Sequence, residues 1–286
     1  MTYDSAPLRM REPSHNTLTV IDHSGAPLMR KIAEYRRYRT LFVFLALRDI
    51  TLRYRQTLLG IVWAVLQPLL PMVIFSAVFA RVLRPATGGV PYWLFVLAGM
   101  APWTFFANAI SASGATFSNN HSLLNKVYFP RAILPGAAVA ACLLDYFVMG
   151  VFLLGLASWR GYGPTVEWLL LPLIAFITAG IAMSVGLALA SLMAIYRDVK
   201  HILPFLVQVW MFASPIMYPV SLVPRRLQPF IGLNPMAGVI EALRSCLFGT
   251  QPDWNLLLLS ALSAAAIACA AAFLFHHLES DLAERV

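Results

Sequence analysis

Residues 92–117 read YWLFVLAGMAPWTFFANAISASGATF, and this stretch decides the fold class. It carries no charged side chain, and no Lys, Arg, Asp or Glu occurs anywhere between Arg84 and Lys126. About 20 apolar residues in a helix cross the ~30 Å hydrocarbon core of a bilayer. Tyr92 and Trp93 at its start suit the aromatic belt of a membrane–water interface. The rest of the chain has the same character: 59% of its 286 residues are hydrophobic, 12% are charged and the mean hydropathy is +0.72. A soluble domain carries about 25% charged residues. One core of this size could not hide so much apolar surface from water, whereas a bilayer serves as its solvent.

Outward from residues 92–117, five further spans are expected, at about 58–80, 132–159, 168–195, 202–222 and 256–275. Pro68 and Pro71 predict a kink in the first of these. Ala182, Gly186 and Ala190 form a small-xxx-small face in the fourth, which lets another helix approach closely. The fifth is interrupted by Pro204, Pro215 and Pro219. Two segments fit no span. In residues 34–56 the short apolar run Thr40–Leu47 is bracketed by Arg36, Arg37 and Arg39 before it and Arg48, Arg53 and Arg55 after it. That pattern reads as an amphipathic helix lying in the interface. Residues 223–254 hold two short apolar pieces separated by Leu233-Asn234-Pro235. Neither piece can cross alone, so a re-entrant hairpin is expected, and Glu241 and Arg244, three residues apart, can pair on its second helix. Residues 1–33 read as a polar tail without the apolar core of a cleavable signal peptide. The expectation is an all-α polytopic protein: tail 1–33, then a permease domain 34–286 of six spans.

Charge sets the orientation. Ten of the 21 Lys and Arg precede residue 56. With the N-terminus inside, Lys126, Arg131, Arg197, Lys200 and Arg285 join them, while only Arg81, Arg84, Arg160, Arg225, Arg226 and Arg244 fall outside. Positive-inside asymmetry therefore predicts both termini in the cytoplasm of a bacterial inner membrane. The net charge of +8 flanks spans, which argues against nucleic-acid binding.

Chemical motifs are sparse. No Gly-x-x-x-x-Gly-Lys-Ser/Thr loop is present, so the chain is not expected to cradle a nucleotide. Cys142, Cys246 and Cys269 have no metal or redox spacing, and no catalytic residue or metal ligand set is assigned. Asp145 is the only acid well inside an expected span. It is read as a structural hydrogen-bonding residue, because a proton relay needs more than one such group.

The run Arg48-Asp49-Ile50-Thr51-Leu52-Arg53-Tyr54-Arg55-Gln56-Thr57-Leu58-Leu59-Gly60-Ile61-Val62-Trp63, ending in Gln67-Pro68, resembles the start of the ABC-superfamily permeases that export O-antigen, capsule and teichoic acid. Asn125-Lys126-Val127-Tyr128-Phe129-Pro130-Arg131 with Leu134-Pro135, the loop Tyr196-Arg197-Asp198 and the Leu233-Asn234-Pro235 break resemble it too, and the likeness covers about residues 34–275. The resemblance implies a homodimer joined to two copies of a separately encoded ATP-binding subunit, which binds ATP and Mg. It implies a channel for a lipid-linked polysaccharide, with Arg48, Arg53, Arg55, Asn119, Asn120, Ser122, Lys126 and Arg131 contacting the ATPase. The hairpin would form a periplasmic gate through Phe230, Leu233, Asn234, Pro235, Glu241 and Arg244.

Sugar rings stack on aromatics, so Trp63, Trp103, Phe106, Trp210, Phe212 and Tyr218 are candidate channel residues, with Tyr92, Trp93 and Phe105 beside them. The competing role for each is belt or packing. An ABC exporter of a drug or lipid would share this architecture. A proton-coupled carrier would need several intramembrane acids, and a membrane acyl- or glycosyltransferase would need a catalytic His or paired acids.

Overall fold

A computed structural model describes residues 36–55, 57–83, 87–126 and 129–285, with the backbone alone at Val82, Leu83, Asn125 and 279–285. The expected tail 1–33 lies outside the described residues. Those residues are helical throughout, with no strand among them: α1 Arg39–Tyr54, α2 Val62–Leu83, α3 Tyr92–Gly114, α4 Thr116–Asn119, α5 His121–Lys126, α6 Ile133–Trp159, α7 Leu171–Ile195, α8 Val199–Ala213, α9 Gln228–Gly232, α10 Pro235–Phe248 and α11 Trp254–Arg285. A 3₁₀ turn, Val166–Leu170, leads into α7.

Five helices (α2, α3, α6, α7 with its lead-in turn, and α11) are long and apolar enough to cross a bilayer. The expected span 202–222 differs. Its helix, α8, has 15 residues and stops at Ser214, where Pro215 and Pro219 interrupt it. At 1.5 Å per residue it is about 22 Å long, short of the ~30 Å core. The helix assignment of α2 continues unbroken through Pro68 and Pro71. Helix α11 runs past residue 275, where the last span was expected to end, to Arg285. The polar cluster 118–126 is folded as the short helices α4 and α5.

Helix α3 is the axis of the bundle. Nearly every residue from Leu94 to Phe106 is buried, and α6 and α7 pack along it with α2 beside it. The α3–α7 contact uses the expected small face: Ala182, Gly186 and Ala190 are all buried, and a Cβ on Gly186 would sit 2.7 Å from Ser113 Cβ. The hairpin α9–α10 packs on α11, again through small residues. Ser260 of α11 accepts from the Gly238 amide at 3.1 Å and lies 3.1 Å from the carbonyls of Gly232 and Asn234. Helix α1 lies along α6, burying Leu45 in a cluster with Phe117, Phe129, Leu134 and Ala190. Its outward residues Phe44, Leu47 and Leu52 are apolar and exposed, the opposite of a water-facing helix.

The bundle thus has two ends. One gathers α1, α4, α5 and the α7–α8 turn, with Arg48, Arg55, Lys126, Arg131, Arg197 and Lys200. The other gathers the start of α3, the end of α8 and the hairpin. Replacing Gly186 by Val should lower the thermal midpoint of the detergent-solubilised protein, at a cost of about 1–3 kcal/mol for overpacking. Gly180, whose added Cβ would meet nothing within 4 Å, is the control: Gly180→Val should leave the midpoint unchanged.

Candidate functional site

The end of α8 and the hairpin are held by one cation. Helix α8 stops at Ala213, and the backbone of Pro215 and Ile216 leaves its carbonyls outside any helix. Arg244, on α10 and almost fully buried, donates to the Pro215 carbonyl at 2.7 Å, the Ile216 carbonyl at 2.7 Å and the Phe95 carbonyl at 3.1 and 3.2 Å. Its guanidinium also sits 3.5 Å from the centroid of the Phe95 ring. A planar fork of five donors can serve carbonyls in several directions at once, which an ammonium cannot do as a rigid unit. The close approach requires Gly99, where a Cβ would meet Arg244 Nη2 at 2.8 Å. The expected Glu241–Arg244 ion pair is not formed. Arg244 turns inward because the Pro215 and Ile216 carbonyls lie outside any helix and have no backbone donor, while Glu241 stays half-buried one turn away.

Asn234 is the second tie. As the N-cap of α10 its side-chain oxygen accepts from the Met236 amide at 3.0 Å and from Trp210 Nε1 at 3.0 Å, and its Nδ2 donates to Ser214 Oγ at 2.8 Å. One side chain therefore starts the second hairpin helix and pins it to the end of α8. Pro235 occupies the first turn of α10, where a missing N–H costs nothing. Phe230 and Leu233 project from the hairpin and are exposed.

The opposite end holds an open cavity of about 450 Å³ between the end of α1 and the start of α2, its wall more apolar than polar, with Leu58, Leu59 and Ala64 in it. Arg53, Tyr54, Trp63, Gln67, Asn108, Ser111 and Asp145 contribute to its wall. Arg53 donates to Asp145 Oδ2 and, at 3.0 Å, to Cys142 Sγ. The single intramembrane acid thus has its partner on α1. Gln67 and Asn108 form a reciprocal amide pair, 3.2 and 2.9 Å, between α2 and α3.

The remaining expected site residues separate by position. Arg48 pairs with the adjacent Asp49 at 2.9 Å, and Arg55 is exposed beyond α1. Asn119, Ser122 and Lys126 are exposed on α4 and α5, while Asn120 and Arg131 are half-buried. Arg53 differs from these by turning into the bundle. Of the aromatics, Trp63 and Phe212 are exposed and Tyr218 is half-buried. Trp103 and Phe106 are buried against Trp210, with ring centroids 6.3 and 5.0 Å away from it. Within this chain they are packing residues, fixing α8 on α3. Tyr92 is buried and donates to the Met217 carbonyl at 2.8 Å. Phe105 stacks on Tyr146, and Trp93 faces Arg160 at 5.4 Å. Sequence reasoning missed the Gln67–Asn108 pair, although each is the only amide in its helix and a polar group in lipid needs a partner.

The model of the ABC-2 type transporter family matches residues 40–248, which include every helix from α2 to α10 and nearly all of α1. An O-antigen export system permease protein, RfbA, of Myxococcus xanthus is 28% identical over 264 residues, 91% of this chain and 100% of the relative. The RfbA permease protein of Klebsiella pneumoniae is 26% identical over 71% of this chain and 78% of its own length. A polysialic acid transport protein, KpsM, of Escherichia coli is 25% identical over 70% of this chain and 78% of its own length.

Removing the Arg244 guanidinium leaves the buried Pro215 and Ile216 carbonyls without a donor, at about 1–3 kcal/mol for each unsatisfied group. Arg244→Met should therefore prevent recovery of folded protein in detergent, and Arg244→Lys should recover part of it with a lower melting midpoint. Losing one partner of the Arg53–Asp145 pair is expected to cost more than losing both. Arg53→Met and Asp145→Leu should each lower the midpoint, and the double substitution should restore most of the loss.

Proposed function

Since this chain belongs to the ABC-2 type transporter family, we propose that it is the permease subunit of an ABC exporter that moves a lipid-linked polysaccharide, of O-antigen or capsule type, across the bacterial inner membrane. ATP is hydrolysed in a separately encoded subunit. The observation that carries this reading is the end-to-end alignment with the O-antigen export permease of Myxococcus xanthus, which leaves none of that relative unmatched.

The geometry supplies a working scheme. Two copies of the chain enclose the channel, and the apolar exposed faces of α2 (Val73, Ile74, Val78) and α8 (Phe205, Val209, Phe212) are the surfaces available to line or close it. The Lys/Arg-rich end faces the cytoplasm, as the positive-inside rule requires. There Arg48, Arg55, Asn119, Asn120, Ser122, Lys126 and Arg131 meet two ATP-binding subunits. The hairpin lies at the periplasmic face, where Phe230 and Leu233 close the channel between transport cycles. Tying the hairpin to the end of α8 through Asn234 and Arg244 makes them move together, so a tilt of α8 started at its cytoplasmic end displaces the gate.

Deleting the gene in its native host should abolish the surface polysaccharide and trap lipid-linked glycan inside. Co-expression with the ATP-binding subunit encoded beside it should give a complex that hydrolyses ATP, while the chain alone hydrolyses none. Unchanged surface glycan in the deletion strain, or ATP turnover by the purified chain, would overturn the reading.

A further inference from the structure

We infer that Arg160, held against the indoles of Trp93 and Trp159, forms a binding site for the phosphate of an anionic phospholipid in the leaflet at the hairpin end of the bundle.

The depth of the site follows from helix length. Helix α6 has 27 residues. At 1.5 Å per residue it is about 40 Å long and outruns the ~30 Å hydrocarbon core. Its last residue is Trp159, and Arg160 follows directly. Trp93 is the second residue of α3, which starts where α6 ends. The end of one span and the start of another thus bring two tryptophans to one level, and indoles settle at a membrane–water interface. Tyr162 closes the same corner, edge-on to Phe248 at the end of α10, with 5.1 Å between ring centroids.

Aromatic rings, not an acid, hold Arg160 there. Its guanidinium carbon lies 5.4 Å from each of the two indole centroids, inside the ~6 Å reach of a cation–π contact. Gly161, at φ +88°, turns the chain away directly after it, and the Arg160 side chain stays exposed. Glu167 is the only acid in the loop 160–170, and Arg160 forms no ion pair with it or with any other of the described residues. The rings attract the charge but offer no lone pair, so the N–H groups of the guanidinium are left without a protein acceptor among those residues.

A phosphodiester supplies what is missing, a negative charge and paired oxygens that a guanidinium can meet in bidentate fashion. The surroundings decide between a lipid and a free anion. Trp159 is 75% exposed, and Val166 and Leu169, in the turn leading into α7, are 79% and 78% exposed. Inorganic phosphate would leave these apolar surfaces in water, whereas the glycerol and upper acyl chains of a phospholipid cover them. Charge decides which lipid. A zwitterionic headgroup brings its own ammonium to compete for the phosphate, and an anionic headgroup does not.

The test uses the full chain with its ATP-binding subunits in nanodiscs of phosphatidylcholine. A small fraction of the lipid is replaced by phosphatidylglycerol or phosphatidylcholine brominated near the top of the acyl chains, and quenching of tryptophan fluorescence is read. The parent's signal minus that of Trp159→Phe is the share of Trp159. In the parent that share should report phosphatidylglycerol enriched about three- to tenfold over phosphatidylcholine. Arg160→Met should abolish the preference, and Arg160→Lys, which keeps the charge without the planar fork, should retain part of it. Arg225→Met removes an exposed cation of the hairpin end and should keep the parental preference. Melting midpoints confirm that each variant is folded, and the comparison of the two lipids in the parent needs no variant. Equal quenching by both lipids in the parent, or a preference that survives Arg160→Met, would overturn the site. Equal loss in Arg225→Met would overturn it too, by showing general attraction to positive charge. Loss of the preference on adding millimolar inorganic phosphate would rule out the lipid as occupant in favour of a free anion. None of these outcomes bears on the cargo, which the surface glycan of the deletion strain decides.

Discussion

A membrane helix that stops inside the bundle leaves carbonyls with no amide to bond, and in hydrocarbon there is no water to replace it. The region where α8 ends and the hairpin begins rests on the solution to that problem. Arg244 delivers its donors to three carbonyls from two segments of chain, and the ring of Phe95 receives its face. The start of α3, the stop of α8 and the second helix of the hairpin thereby become one unit. Glycine at position 99 follows from this, since the guanidinium occupies the space a Cβ would need. Glu241, one turn away on the same helix, is left without an ion pair to it. A buried charge of this kind is costly unless its hydrogen bonds are satisfied, and here the satisfaction comes from backbone that would otherwise be orphaned. Each defect removes the other.

The second polar set, at the other end, follows the same rule with different means. Asp145 alone in α6 would carry about 2.5–3.5 kcal/mol of insertion cost. Arg53 reaches it from a helix that is not itself a span, so the pair also fixes α1 against the bundle. An interfacial helix held only by its apolar side could rotate or slide; one held by Leu45 in a pocket at one end and an ion pair at the other cannot do so freely.

The sequence made the spans legible because their signal is additive: some twenty apolar residues in a row survive any local exception. Helices α2, α3, α6 and α7 fall close to their expected bounds for that reason, α11 starts within two residues of its own but runs ten further, and the small face of α7 packs as its spacing required. The break at Leu233-Asn234-Pro235 was equally readable, since Asn followed by Pro is a helix-start pattern in its own right. What could not be read was which polar group meets which. Arg53 and Asp145 are 92 residues apart, and Arg244 and Phe95 are 149 apart. A single sequence gives the need for a partner without its address. The nearest candidate on the helix, Glu241 for Arg244, was therefore the natural expectation. It failed because the guanidinium is surrounded by the Phe95, Pro215 and Ile216 carbonyls, which take its donors and leave Glu241 beyond ion-pair distance.

The aromatic residues divide along the same line. A tryptophan in an apolar run can be packing, belt or binding surface, and composition does not separate these roles. Burial does. Trp103, Phe106 and Trp210 form one edge-to-face cluster that locks α8 onto α3, so their rings are already occupied by one another. Trp63 stands outside any such cluster and is half-exposed on α2.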